Sequence, residues 1–184
     1  MIDTPTLTPA VFLDRDGTLI EEVNFLSRVE DLKVFPFTRA ALQKLVDAGF
    51  LLIVITNQSG IGRGLFSERD MHSIHEALAV EFDGLISGFY HCPHLPDEGC
   101  DCRKPKTTLI RRAAEEHHID LSRSWFVGDK NIDVLTGENA GISTCLVSTG
   151  YGVLHKALLE ARPTVFADNI GDAADEIVAR AAKG

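Results

Sequence analysis

The stretch Val11-Phe12-Leu13-Asp14-Arg15-Asp16-Gly17-Thr18 sets two aspartates one residue apart at the end of an apolar run. Carboxylates so close repel each other, so the pairing asks for a physical reason. Capping of the following turn is one, because aspartate bonds readily to nearby backbone amides. A bound cation is the other. A second acidic group, Gly128-Asp129-Lys130-Asn131-Ile132-Asp133, lies far along the chain. If folding joins the two groups, three or four carboxylates converge, and a Mg²⁺ held by a few of them and by phosphate oxygens relieves the repulsion. Asp14 is then free to attack phosphorus as a nucleophile.

A later loop offers softer ligands. Cys92-Pro93-His94 and Cys100-Asp101-Cys102 supply four donors, the set a closed tetrahedral zinc site takes. The plainer reading is free thiols beside a surface histidine. The loop, residues 91–103, has little apolar content beyond Leu95 and its prolines, so something other than a core must order it. Zinc is the expectation. It would be structural, because four protein ligands leave no open position. Arg103 and Lys104 follow directly, their direction fixed by such a loop, and a guanidinium grips a phosphate or polyol with two bonds. Lys106 reads as solvated surface and Cys145, within an apolar segment, as a small buried hydrophobe. The segment Thr56-Asn57-Gln58-Ser59-Gly60-Ile61-Gly62-Arg63-Gly64 either meets substrate or is glycine-punctuated loop.

These groups need a frame to hold them. Short apolar runs at 10–14, 50–56, 88–92, 125–129, 143–147 and 164–167 read as strands. Between them, 36–48, 68–82, 107–118, 131–140, 154–160 and the segment from Ile170 read as helices, with Gly49 a stop and Ser67 an N-cap answered by Asp70. Residues 57–66 read as loop. Strands alternating with helices predict an α/β fold, a Rossmann-like, mostly parallel sheet with helices on both faces. Sites in such sheets form outside the carboxyl ends of the strands, where Asp14, Asp16, Thr56 and Asp129 all fall.

The chain of 184 residues suits one domain, 1–184, and is short for two. Its net charge of −9 opposes nucleic-acid and anionic-membrane partners. Residues 1–9 lack a basic and an apolar segment of the kind a secretory signal carries, so a soluble cytoplasmic protein is expected.

Asp14-Arg15-Asp16-Gly17-Thr18, Thr56, Lys104 and Gly128-Asp129 with Asp133 resemble, in order, the four motifs of the haloacid-dehalogenase-like phosphatases. The resemblance implies Asp14 as nucleophile and Asp16 as general acid and base. Thr56 and Lys104 would hold the phosphoryl oxygens, and Mg²⁺ would sit on Asp14, the Asp16 backbone carbonyl and Asp129. Asp133 keeps two readings, a contact to metal-bound water or a helix cap. The zinc loop on Cys92, His94, Cys100 and Cys102 resembles a subfamily acting on sugar bisphosphates or histidinol phosphate. Thr56 to Phe66, Lys130 and Val147 to Gly152 resemble its sugar branch. By that resemblance Glu22, Val23, Asn24, Phe25, Thr56, Asn57, Gln58, Ser59, Arg103, Lys104 and Lys130 contact a small phosphorylated sugar. The intervals from Asp14 to Thr56 and Thr56 to Lys104 are filled by core elements and the zinc loop, leaving no room for a large cap domain. A monomer is expected. A catalytically silent, zinc-stabilised binding module is the alternative of another class; no catalytic position is substituted, which speaks against it.

Overall fold

A computed structural model describes residues 6–183, so Met1 to Pro5 of the N-terminal stretch lie outside the described residues. Six strands form one sheet in the order β3-β2-β1-β4-β5-β6, every neighbouring pair parallel. They are β1 (Ala10–Leu13), β2 (Leu51–Asn57), β3 (Gly88–Cys92), β4 (Trp125–Gly128), β5 (Ser143–Val147) and β6 (Val165–Ala167). The helices between and after them are α1 (Thr38–Asp47), α2 (Ser59–Gly62), α3 (Glu68–Glu81), α4 (Thr108–His117), α5 (Asn131–Ala140), α6 (Gly152–His155) and α7 (Ile170–Ala181).

Strand alternation divides the core in two. Val11 and Leu13 point to one face with Leu52, Val54 and Val127, under Leu42 and Leu45 of α1, Ile74 and Leu78 of α3, and Ile177 of α7. Ala10 and Phe12 point to the other, with Ile53, Ile55 and Phe126, under Leu109, Ile110 and Ala113 of α4. Each large side chain of this kind contributes about 1.5–3 kcal/mol on burial, which is why a sheet covered on both faces reads as unbroken apolar runs. Cys145 is buried among them, as its apolar setting predicts. Ser67 does cap α3: its hydroxyl accepts from Asp70 N–H while the Asp70 carboxylate accepts from Ser67 N–H.

Two expectations need correction. Residues 57–66 are not plain loop, because Ser59–Gly62 form the helical turn α2. Its glycines serve close contact: a Cβ on Gly60 would fall 2.1 Å from the Phe66 ring, and one on Gly62 would fall 2.8 Å from the Pro93 carbonyl. The helix expected at 154–160 starts at Gly152, passes into a 3₁₀ turn at Lys156–Leu158 and ends there. Val153, Leu154 and Leu158 stay exposed, so no apolar face holds a longer helix. Asn131 instead captures the chain beyond it, accepting from Glu160 N–H and donating to its carboxylate. Further 3₁₀ turns at Val29–Asp31 and Leu121–Arg123 carry no sequence period to announce them. Among the described residues no helix is long and apolar enough to cross a membrane.

Candidate active site

Register brings the acidic groups together. Leu13 pairs with Val54 on one side and Val127 on the other, and Asp14 N–H donates to Val127 O at 2.9 Å. Asp14, at the end of β1, therefore stands beside Asp129 at the end of β4. Asp133, in the first turn of α5, completes the cluster, with ligand oxygens of all three within 4.8 Å of one another. All are buried. Lys104 reaches in from the far side: its Nζ donates to Asp14 Oδ1 at 2.7 Å, Asp133 Oδ1 at 2.6 Å and Ile55 O at 3.1 Å.

Electrostatics sort these carboxylates. Burial pushes Asp14 up, but the ammonium groups of Lys104 and Lys130 outweigh it and hold the group below its ordinary value. Burial also raises Asp133, against Lys104. Asp129 is pushed up to about 8, by burial first and by the charge of Asp14 second. The proton thus goes to Asp129 and Asp133 before Asp14, which leaves the would-be nucleophile ionised.

The cluster fits a hard divalent cation. Asp129 Oδ2 is fixed by Tyr151 N–H at 2.8 Å, while its Oδ1 is buried with no hydrogen-bond partner. An acceptor so placed is costly unless something positive meets it, and the Lys130 ammonium at 3.7 Å brings charge without a hydrogen bond. Gly17 and Gly150, both at positive φ, crowd this carboxylate: a Cβ on either would sit 2.3 Å from Asp129 Oδ2. Asp133 also caps α5, its Oδ2 accepting from Lys130 N–H at 3.0 Å. The capping reading of that residue is therefore realised, with the bond to Lys104 added.

Asp16 stands apart. Arg15 Nε and Nη2 donate to its two oxygens at 3.0 and 3.1 Å. Gln58 Nε2 donates both to Asp16 Oδ2 at 2.9 Å and to Thr56 Oγ1 at 2.7 Å. Gln58, expected to contact substrate, thus also ties the second aspartate to the threonine at the end of β2. Asn57 holds the Lys104 backbone, accepting from its N–H at 3.1 Å and donating to its carbonyl at 3.4 Å.

A cleft of about 380 Å³ opens over this floor. Asp14, Asp16, Thr56 and Lys104 line its base; Glu22, Asn24 and Phe25 come from one loop, Asn57, Gln58 and Ser59 from another, with Arg103 and Lys130 beside them. Val23 is the one residue expected at the substrate that does not line it. It is exposed on its loop between neighbours that turn in. Lys130 Nζ lies 3.2 Å from Glu22 Oε2, 3.7 Å from Asp129 Oδ1 and 5.1 Å from the centre of the Tyr151 ring. Leu26, Ile132 and His155 line the cleft too, and sequence reasoning passed over them, while Gly60 of the segment read as substrate contact or plain loop also lines it. Ile132 and His155 carry no motif, but their positions near Asp129 and Tyr151 in the chain were a usable signal.

The four zinc-loop residues also converge, with ligand atoms within 4.8 Å of one another. Cys102 Sγ lies 3.0 Å from Cys92 Sγ and 3.1 Å from His94 Nδ1, and Cys100 Sγ lies 3.6 Å from Cys92 Sγ. Three sulfurs and one imidazole nitrogen in this space fit zinc. His94 O accepts from Arg103 Nη1 at 3.2 Å, so the loop does aim Arg103. Lys106 is exposed, as expected.

A six-stranded parallel sheet with paired aspartates after its first strand and a buried lysine bonded to the first of them is the arrangement of haloacid-dehalogenase-like hydrolases. Residues 101–173 match the HAD-hydrolase-like family model. The D-glycero-β-D-manno-heptose-1,7-bisphosphate 7-phosphatase of Haemophilus ducreyi is 40% identical over 155 residues, covering 78% of this chain and 85% of that protein. The D-glycero-α-D-manno-heptose-1,7-bisphosphate 7-phosphatase of Photorhabdus laumondii is also 40% identical, over 151 residues, covering 76% and 82%. The D,D-heptose 1,7-bisphosphate phosphatase from B. bronchiseptica, crystallised with magnesium and phosphate, superposes with a TM-score of 0.87 at 28% identity, covering 94% of this chain and 99% of that one. The chain belongs to the haloacid-dehalogenase-like phosphatases. Within that family it is similar to the heptose-1,7-bisphosphate 7-phosphatases.

Proposed function

We propose that this protein is a Mg²⁺-dependent phosphatase that removes the C7 phosphate of D-glycero-D-manno-heptose 1,7-bisphosphate through an aspartyl phosphate on Asp14. One observation carries the chemistry: Asp14, bonded to Lys104, faces the open cleft beside Asp129 Oδ1, which accepts no hydrogen bond. The named relatives supply the substrate.

Asp14, the Asp16 backbone carbonyl and Asp129 would hold Mg²⁺, which supplies charge neutralisation at the phosphoryl oxygens when bound. Asp14 attacks phosphorus, the bond to the C7 oxygen breaks, and Asp16 gives that oxygen a proton. Asp16 then takes a proton from the water that hydrolyses the aspartyl phosphate. Its partners in the resting site are Arg15 and Gln58, so it turns toward the leaving oxygen to act as acid. Lys104 and Thr56 offset and bond the phosphoryl oxygens, a division of labour in which positioning and charge dominate. Arg103 and Lys130 supply cations for the C1 phosphate, and the Glu22 to Phe25 loop meets the sugar.

Phosphorus NMR of the product tests the regiochemistry. A surviving C1 phosphate is expected; release of the C1 phosphate, or faster turnover of histidinol phosphate, would sink the heptose reading while leaving a phosphatase. The two metals are expected to differ in residence. Metal analysis after dialysis should find about one zinc per chain, retained by four protein ligands. Cys102→Ser should lose that zinc and lower activity by misplacing Arg103 and Lys104; zinc-free protein purified without chelators would remove the assignment.

Magnesium should bind reversibly and pH-dependently. The folded pKa of Asp129, about 8, lies above its ordinary 3.8. Its stabilising contribution is therefore complete below the ordinary value and is lost as pH rises through about 8. Mg²⁺ selects the ionised form, so the rise in Tm on adding it should be larger at about pH 8 than at about pH 6, read by calorimetry. A Mg²⁺ effect that is flat across this range would count against Asp129 as a ligand.

A further inference from the structure

The Glu22 to Phe25 loop has a backbone conformation that its residue types disfavour. Asn24 lies at φ 46° and Phe25 at φ 57°, two consecutive residues with side chains in the left-handed region. Asparagine visits that region with some ease, but a phenylalanine stays there only where its surroundings impose it. Residues held in this way cluster at ligand clamps. Both Asn24 and Phe25 line the cleft. Something must hold the pair in place.

The contacts that do so close a circuit. Asn24 N–H donates to Glu22 Oε1 at 3.0 Å. Glu22 Oε2 lies 3.2 Å from Lys130 Nζ, and that ammonium stands 5.1 Å from the centre of the Tyr151 ring. Tyr151 returns to the start, its hydroxyl donating to Asn24 Oδ1 at 3.2 Å. The Arg63 guanidinium also stands over the Phe25 ring, 5.9 Å from its centre. Of these groups Tyr151 is the fixed one. Its own N–H donates to Asp129 Oδ2 at 2.8 Å. Gly152 beside it packs so closely that a Cβ there would fall 1.7 Å from the Val147 carbonyl oxygen. His155 meets the Tyr151 ring at a steep angle, with centres 6.2 Å apart.

We propose that Tyr151 is a positioning residue for the substrate loop: its hydroxyl holds Asn24 in the left-handed turn that presents Asn24 and Phe25 to the cleft, and its ring seats Lys130 beside Glu22. The role rests on the reading, given above, of that loop as the part that meets the sugar. Tyr151 itself is not among the residues lining the cleft, so it acts through Asn24 and Lys130. Because its backbone also fixes Asp129, the loop is placed relative to the acidic cluster, and the far end of a substrate is held where its phosphate reaches Asp14. Losing the hydroxyl alone leaves the Asp129 contact intact. It should therefore weaken the hold on the sugar end, which raises KM, and spare the chemical step, which sets kcat.

The first arm of the test needs no substrate. In ¹³C-labelled wild-type protein, Asn24 and Phe25 should show the small one-bond Cα–Hα couplings of residues at positive φ, and Tyr151→Phe should move the Asn24 coupling towards the larger value of ordinary backbone. Ordinary couplings in the wild type, or couplings unchanged in the variant, overturn the proposal. In the second arm, Tyr151→Phe should raise KM for heptose 1,7-bisphosphate about 3–10-fold with kcat held within about twofold, the effect of one lost hydrogen bond. An unchanged KM, or a loss confined to kcat, overturns it. Asn24→Gly supplies the third arm, since glycine takes the left-handed conformation freely but offers no acceptor. Adding Tyr151→Phe to Asn24→Gly should raise KM no further; a full additional rise would mean that the hydroxyl acts elsewhere and overturns the proposal. The heptose reading fails separately. Wild-type protein that hydrolyses an aryl phosphate but not the heptose bisphosphate would remove that substrate, and the couplings would then decide by themselves whether Tyr151 positions the loop.

Discussion

Asp14→Asn is expected to abolish turnover, with kcat falling by roughly four or more orders of magnitude while the protein remains folded. The amide is isosteric with the carboxylate, but it is a poor nucleophile toward phosphorus and a poor Mg²⁺ ligand. Folding should survive because Lys104 keeps Asp133 at 2.6 Å and the Ile55 carbonyl at 3.1 Å. The circular-dichroism spectrum should match that of the wild type, and phosphate release from the heptose bisphosphate should fall to background. Asp16→Ala serves as the contrast. With an aryl phosphate, whose leaving group needs little protonation, the variant should still phosphorylate Asp14 but hydrolyse the adduct more slowly, by about two to four orders of magnitude. Acid quenching should then trap a phosphoprotein in Asp16→Ala and none in Asp14→Asn. Substantial turnover by purified Asp14→Asn, with contamination excluded, would end the nucleophile assignment.

The residues at stake in that experiment were readable from the sequence because their chemistry is tied to strand ends. Apolar runs ending in Asp14, Thr56 and Asp129 give both the strand and the point where it opens to solvent. The zinc loop was legible for a different reason: three cysteines and a histidine crowd the short span from Cys92 to Cys102, which has almost no apolar residue to pack. What the sequence did not display is whatever depends on pairing across the sheet. Nothing local to Asp133 says that Lys104 will bond it, since that contact needs α5 and the segment after the zinc loop to meet over β1. Gln58 is similar. Its link between Asp16 and Thr56 exists only because β1 and β2 are neighbours in register. The glycines of α2 misled for a physical reason, since glycine marks both free backbone and close contact, and Phe66 and Pro93 make the second meaning hold here.

The same cross-sheet lysine carries the largest expected effect on stability. Lys104 is 3% exposed and is the cation directly bonded to two buried carboxylates. Burial alone would push its pKa down, but Asp133 and Asp14 more than compensate and raise it. Lys104→Met keeps much of the length of the side chain and removes the charge. Asp14 and Asp133 are then left facing each other and Asp129, with only Lys130 nearby, and removing one partner of a buried pair costs about 3–5 kcal/mol. For a domain of this size that corresponds to a fall in Tm of roughly 10 °C. The loss should depend on pH in a defined direction. Without the ammonium, the carboxylates can relieve their repulsion only by binding protons. The folded variant therefore holds more protons than the unfolded chain, and its stability falls as pH rises. The deficit against wild type should be small at about pH 5 and large at about pH 8, and Mg²⁺ should recover part of it by supplying positive charge to the same cluster. Turnover should fall as well, by about two to three orders of magnitude, since a preorganised cation at the phosphoryl oxygens is lost. Calorimetric scans of both proteins in chelator and in Mg²⁺, with a phosphate-release assay beside them, would read all of this. An unchanged Tm in chelator at about pH 8 would mean that the cluster does not need Lys104 for its charge balance, and the placement of Mg²⁺ beside it would lose its electrostatic basis.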